Sequence, residues 1–301
     1  MIGRDLTTDG FYRLDDPTHS IIDPQRQEAY QRSSDPVKKT GKAIVEAADA
    51  FRKTGSRAAA RCVIDRIFQL AQAGSLTGSM SSNQAFYVQG WVAGAIAIAY
   101  LKVRDSGLAS PQENSAIAAW LLQIDGQTRG YYDHRRQSSD GQNNHFYWAG
   151  LESAAIGTVA NDSNAFMWGV RAYKEGTGSI RPDGTLPLEM KRGARALHYH
   201  LYALAPLVLL AEFGSANGID LYAEHDGAIH RLVRKSISGL MDPGPFEKAT
   251  GVPQEVSKVP GGDQIGWAPP YLRRFPDANA TRMVTGAANL SVYYLGGLPP
   301  P

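Results

Sequence analysis

The stretch Asn143-Asn144-His145-Phe146-Tyr147-Trp148 sets an amide and an imidazole beside aromatic rings. Some fifty residues on, Arg195-Ala196-Leu197-His198-Tyr199-His200-Leu201-Tyr202 adds a guanidinium and a phenol. Neither segment holds a carboxylate. A histidine, with its pKa near ~6.5, is the side chain best suited to moving protons at neutral pH. An asparagine beside it can bind an anion without bringing a competing charge. Arg195 and Tyr202 stand seven apart, which on a helix puts them on one face, two turns apart. A free phenol titrates near ~10, and a neighbouring guanidinium favours the phenolate. Asn144, His145, Arg195 and Tyr202 therefore read as groups that remove a proton next to a carboxylate, not as a paired-acid hydrolytic site. His198 falls near the same stripe as a supporting group, whereas Tyr199 and His200 point elsewhere. Structural readings stand beside these: Asn143 or Asn144 is also a good helix N-cap, and His145 can simply pack on Trp148.

Other residues read as the walls of a groove. Arg129 precedes Tyr131 and Tyr132, Arg192 follows Lys191, and Trp267 is followed by Tyr271, Arg273 and Arg274. Arginines pair with carboxylates and aromatic faces stack on sugar rings. No metal is expected. There is no His-Glu-x-x-His pattern, and His198 and His200, two apart on a helix, diverge. Neither a phosphate-cradling glycine loop nor a Gly-x-Ser-x-Gly elbow occurs.

The elements that must hold these groups read as helices. Residues 1–35 are rich in Asp, Pro, Ser and Thr and read as an irregular arm; residues 36–301 read as one helical domain. From Pro36, apolar residues recur at three- and four-residue steps (Val45, Ala48, Phe51, then Ala58, Cys62, Ile67, Ala71). Helical patterns follow over 87–103, 113–124, 149–160, 164–174, 195–213 and 227–237, with a last one over 286–294. A Gly/Ser/Asn-rich stretch at about 74–86 reads as a loop, and the Pro/Gly-rich excursion over 240–266 reads as a rim loop. Period-two alternation is scarce. Helical hairpins joined by long loops indicate an all-α chain, an α/α toroid ahead of a four-helix bundle, with the site in loops at one end.

The chain has 301 residues, is 43% hydrophobic and carries a formal net charge of +2, which disfavours a nucleic-acid partner. Its one cysteine, Cys62, reads as a small buried apolar residue. No uninterrupted apolar run reaches the ~18 residues of a membrane span, so no membrane partner is expected. The polar start, Met1-Ile2-Gly3-Arg4-Asp5, lacks a signal-peptide apolar core.

Taken together, several segments resemble the alginate lyases of polysaccharide lyase family 5. They are Asn143 to Ala149, Asp183 to Glu189, Arg192 to Val208, Leu76-Thr77-Gly78 with Trp91 and Ala99 to Lys102, and Trp267 to Phe275. The resemblance runs in order from about residue 11 to about residue 280. It implies an incomplete (α/α) toroid with a deep cleft and cofactor-free β-elimination of a 1,4-linked polyuronate. It places the catalytic groups on Asn144, His145, Arg195 and Tyr202. Substrate contacts are expected at Trp148, Tyr147, Arg192, His198, Arg129, Trp91, Trp267, Tyr271 and Arg274. It also implies a periplasmic protein whose leader has been removed, with secretion as second choice; we expect a monomer acting on an anionic polysaccharide. Two departures point to a broader uronate range, including glucuronic acid polymers. The loop at about 74–86, which the resemblance implies is a lid, has no Lys or Arg over Ser79 to Gln84, and Pro269 stands where alginate-specific members tend to have Glu. The rivals are a toroid hydrolase, whose acids would be Asp133, Asp140 or Glu189 and lie apart from the chemistry-rich segments, and a non-catalytic polysaccharide binder.

Overall fold

In the computed structural model, residues 2–257, 260–287 and 289–298 are described. Helix α1 (Pro24–Thr54) starts where Asp23 caps the amide of Arg26 and Pro24 takes the first helical position, where it forfeits no hydrogen bond. The irregular arm thus ends at Asp23, not at residue 35. The sequence hides this first stretch because its buried face there is only Tyr30 and Ser34, and because Pro36 lies inside the helix, not at its start. Helix α2 (Arg57–Ala73) is capped by Ser56 and stopped by left-handed Gly74. Next come α3 (Asn83–Val103), capped by Ser82, and α4 (Pro111–His134), opened by a Ser110–Glu113 capping box. Asn143 caps α5 (Asn144–Ala160), and Asp162 caps α6 (Ser163–Gly178). A single turn, α7 (Pro187–Met190), precedes α8 (Ala196–Ala216) and α9 (Glu224–Met241), the latter kinked over three left-handed residues, His225 to Gly227.

Helices α3, α5 and α8 are apolar on nearly every side, as inner helices must be. Helix α5 packs between α3 and α8; α1 and α2 cover α3, α4 and α6 cover α5, and α9 covers α8. The result is an incomplete α/α toroid, and the described residues form isolated β-bridges but no strand. The segments containing α3 and α8 are apolar and long enough to cross a bilayer, but 67% and 72% of them are packed inside the protein. The inner layer depends on close backbone approach. A Cβ on Gly169 of α6 would stand 2.5 Å from the carbonyl of Gly150 and 2.8 Å from Cβ of Ala154, both on α5.

The rest of the chain departs from the sequence pattern in places. The rim excursion contains α10 (Gly244–Thr250) and α11 (Gly262–Ile265). After α12 (Ala268–Arg274), the last α-helix, α13, covers Ala278–Gly286, and the segment expected to be helical over 286–294 is irregular where described, ending in a 3-10 turn, Tyr293–Leu295. Its apolar residues pack singly against the core instead of forming a helical stripe. Cys62 is half-buried, not interior.

Two tethers place the site-bearing loops. The supposed lid is strapped down by the arm: Leu76 and Gly78 donate to the carbonyls of Gly3 and Arg4, Leu6 donates to Ser79, and Ser81 donates back to Leu6. Buried His200 of α8 accepts from the amide of Leu186 (2.9 Å) and its Nδ1 meets the Ala196 carbonyl (2.8 Å), fixing the loop that carries α7. Burial pushes the His200 imidazole down to about 4, so it is neutral in the fold.

Two consequences are measurable. Gly169→Ala forces α5 and α6 apart and costs about 1–3 kcal/mol, read as a lower urea midpoint; an unchanged midpoint contradicts the close-packing account. For His200, the unfolded chain takes up its proton near ~6.5 and the folded chain only near 4, so its full contribution is present above ~6.5 and is lost as pH falls through that window, about 3 kcal/mol in all. His200→Phe removes one such proton and flattens the fall of stability between pH 6.5 and 4 in urea titrations; an equally steep fall contradicts the assignment.

Candidate active site

A hollow of about 710 Å³ opens at one end of the inner helices, lined from the arm, α1, α3, the loop before α5, α5, α8 and the C-terminal segment. Its rim is cationic. Arg13, Arg26, Lys38, Arg135, Arg192 and Arg195 face it against Asp9, Asp140 and Asp263, although the whole chain is nearly neutral. A polyanion is drawn to such a cleft by local, not net, charge.

On the α5 side, His145 stacks on Tyr87 with ring centroids 3.9 Å apart. Asp140 fixes that tyrosine, accepting from Tyr87 (2.9 Å), Tyr131 (2.7 Å) and the Arg135 guanidinium (2.9 Å). These donors hold the Asp140 carboxyl well below its usual range despite burial. Burial, and then the Arg192 charge, push His145 down to about 3, so the imidazole is neutral. Asn144, wholly buried, lies behind it. Its backbone amide and its side-chain amide both donate to one oxygen of Glu189 on α7 (2.9 Å each). Burial raises the Glu189 carboxyl, against the pull of Arg192 and Asn144.

On the α8 side, His198, Tyr199, Tyr202 and Ala205 form the lining stripe, an i, i+1, i+4, i+7 set on one face. The arm completes it. Buried Asp16 accepts from the amides of Thr18, Ser20 and Ile21 and shapes a tight turn. The carbonyls of Thr18 and His19 in that turn hold Arg192 (2.9 and 2.6 Å), whose guanidinium lies 3.6 Å from the centre of the Tyr199 ring. Arg195 donates to the Tyr12 hydroxyl (2.6 Å), which is 2.6 Å from the Tyr199 hydroxyl. The exposed carboxylate of Glu255 stands 3.8 Å from Arg195. Burial raises the Tyr199 phenol, and Arg192 and Arg195 oppose that rise. His198 is pushed down to about 4 by burial, Arg195 and Arg192.

This arrangement corrects the pairing expected from spacing. Residues 193–195 form a 3-10 turn and α8 begins at Ala196, so Arg195 and Tyr202 do not share a continuous helix. Burial, and then the neighbouring phenols Tyr294, Tyr199, Tyr30 and Tyr12, push Tyr202 well above 10. Its ring packs on Trp148 (5.0 Å) and edge-on to Trp91 (6.4 Å). The phenol with cations beside it is Tyr199, which the sequence reading set aside.

His145, Arg195, Tyr202, Trp148, Arg192, His198 and Trp91 all line the hollow. Asn144 does not line it directly. Tyr147 is buried, donating to the Gln142 carbonyl. Arg129 pairs with buried Asp125 (2.7 Å) on α4, so its nearness to Tyr131 and Tyr132 in sequence is misleading. Trp267 is a core residue bonded to the Gln264 carbonyl. Tyr271 is buried against His230 (2.7 Å), and Arg274 pairs with Glu212 at a separate surface hollow. These last three sit on α12 or just before it, which packs against α8 and α13, and none of them lines the hollow. Of the acids set apart in the sequence, Asp133 pairs with Arg171 (2.6 Å) outside the hollow. Asp140 lines the hollow and Glu189 lies behind it, and each is engaged by donors; Asp9, which also lines the hollow, stands 3.7 Å from Arg26. Of the loop over 74–86, Asn83 and Gln84 line the hollow and residues 74–82 do not; Tyr12, Arg13 and His19 of the arm line it as well. The sequence reading missed Tyr12, Tyr30, Tyr87 and Tyr294, which line the hollow from outside the two chemistry-rich segments.

Comparison with known proteins agrees with this geometry. The alginate lyase family model matches residues 9–246. A polysaccharide lyase of Stenotrophomonas maltophilia is 37% identical over 91% of this chain and 80% of its own. An alginate lyase of Pseudomonas fluorescens is 30% identical over 90% of this chain and 73% of its own. Among solved structures, alginate lyase A1-III from Sphingomonas species A1 superimposes with a TM-score of 0.83 at 24% identity, over 99% of this chain and 84% of that one, a likeness of fold. The chain belongs to the alginate lyase family of polysaccharide lyases.

Proposed function

We propose that the hollow cleaves a 1,4-linked polyuronate by β-elimination, with Tyr199 as the group that moves the proton. The observation that carries this reading is the set of cations around one phenol. Arg192 lies against the Tyr199 ring, and Arg195 polarises Tyr12, which is left to donate its hydroxyl proton to the Tyr199 oxygen. The charges of Arg192 and Arg195 favour the phenolate. Two complexes of the solved neighbour add support: a histidine-to-alanine and a tyrosine-to-phenylalanine variant of alginate lyase A1-III each hold a tetrasaccharide. In that protein the two substituted residues are separated by the same number of positions as His145 and Tyr199 here.

The chemistry runs as follows. The sugar's carboxylate faces His145 and the arginines, whose donors neutralise the charge that grows on it. The Tyr199 oxygen takes the C5 proton, and the C–H electron pair moves into the carboxylate. Collapse of that dianion forms the C4–C5 double bond and breaks C4–O4. The proton on Tyr199 passes to the departing O4. Trp148, Trp91 and Tyr202 supply apolar faces for sugar rings. Asn144, locked to Glu189, fixes the start of α5 and with it His145.

The unsaturated product absorbs in the ultraviolet, which gives the assay. On polymannuronate, Tyr199→Phe lowers kcat by ~100-fold or more with little change in KM, whereas Tyr202→Phe lowers it less than ~10-fold. The reverse order overturns the assignment. Because burial keeps the phenol protonated at rest, activity rises with pH into the alkaline range, and Arg192→Ala moves that rise further alkaline. An unmoved profile contradicts the role of Arg192.

A further inference from the structure

Behind His145 lies a small cavity, about 10 Å³ open to the centre of a water molecule, whose walls include Gly90, Thr128, Trp148 and Glu152. That volume is at the lower limit for one water. Tyr87, Trp91, His145 and Trp148 line both this cavity and the main hollow, so they form the partition between them. Three residues of its wall each carry a buried polar atom with no partner among the described residues: Oε2 of Glu152, Nδ1 of His145 and Nε1 of Trp148. Unpaired buried groups are rare, and several around one small cavity are what a structural water satisfies.

We propose that this cavity holds one water that links Glu152 to Nδ1 of His145 and fixes the imidazole as its Nε2–H tautomer. Glu152 is a positioning residue in this scheme. It is 1% exposed, and its other oxygen accepts from the Thr128 hydroxyl at 3.0 Å. Gly90 of α3 leaves it room, since a Cβ there would stand 2.7 Å from Oε2. Asp125 of α4 is a charged group that acts on it, and that carboxylate pairs with Arg129. Burial, reinforced by Asp125, keeps the Glu152 carboxyl protonated. It therefore donates to the water, as does the Trp148 indole. The water is left with hydrogens to give, and Nδ1 accepts one. The ring's own proton then sits on Nε2.

The consequence rests on the reading of Tyr199 as the proton-moving group. An Nε2–H imidazole donates to the substrate carboxylate and cannot take a proton from carbon. The site then cleaves D-mannuronate and D-glucuronate units, whose C5 hydrogens share one configuration, and leaves L-guluronate, the C5 epimer of mannuronate, uncut.

The test uses the full chain with ¹⁵N-labelled histidine and reads the tautomer of His145 by long-range ¹⁵N–¹H correlation, without substrate. The expected result is a protonated Nε2 and an accepting Nδ1 in the unsubstituted protein and in Glu152→Gln, whose amide can still donate to the water. Glu152→Leu should give a tautomer mixture and ~10-fold lower kcat on polymannuronate with KM held. Gly90→Ala, which closes the cavity by one methyl group, should give the same mixture and serves if Glu152→Leu does not fold. An Nδ1–H form in the unsubstituted protein, or an unaltered spectrum in both disruptive variants, overturns the water link whatever the activity. Polyguluronate cleaved as fast as polymannuronate overturns the consequence for substrate choice, while loss of the Tyr199 assignment leaves the spectrum untouched.

Discussion

Arg192 is held against a phenol by backbone carbonyls, and the site depends on that arrangement. A carboxylate in place of the Thr18 and His19 carbonyls would neutralise the guanidinium and leave little field for Tyr199 or for an incoming anion. Carbonyl acceptors orient the cation while leaving its charge. The turn that offers them exists because Asp16, nearly buried, gathers three backbone amides. An element that reads in sequence as an irregular arm is thus a working wall of the cleft, and it also straps down the loop between α2 and α3.

Buried polar groups behind the cleft extend the same logic. His200 ties the loop before α7 to α8, Glu189 on α7 grips Asn144, and Asn143 caps the helix on which His145 sits. Each link is a hydrogen bond in a low-dielectric setting, where it is strong when made and costly when lost. The chain of contacts joins α8 to α5, so the two halves of the site are held at a fixed separation by the fold itself. Water exclusion serves the chemistry as well, because it keeps His145 and His198 neutral and strengthens every donor aimed at a developing dianion.

The helical character, the inner helices and one half of the site were legible in the sequence. Long Ala-rich stretches with few strand formers leave little choice of secondary structure, and Asn144-His145 stood out because amide, imidazole and aromatics are adjacent. The other half was misread by one step of the helix. Seven-residue spacing places residues on one face only where the helix is continuous, and a 3-10 turn before Ala196 breaks that rule for Arg195. Arg129, Trp267, Tyr271 and Arg274 were misplaced because composition cannot say which side of a wall a residue faces. The contributions of Tyr12 and Glu152 depend on contacts across 187 and 24 positions, which no local pattern records.

The central claim is that the sugar's C5 hydrogen is presented to residue 199. A crystal structure of the Tyr199→Phe chain with a mannuronate tetrasaccharide tests it directly. The account predicts C5 within about 3–3.5 Å of the position of the lost hydroxyl, with the carboxylate of that sugar against His145 and Arg195. A complex in which C5 faces the hydroxyl of Tyr202, with the phenylalanine at 199 remote from the sugar, contradicts it.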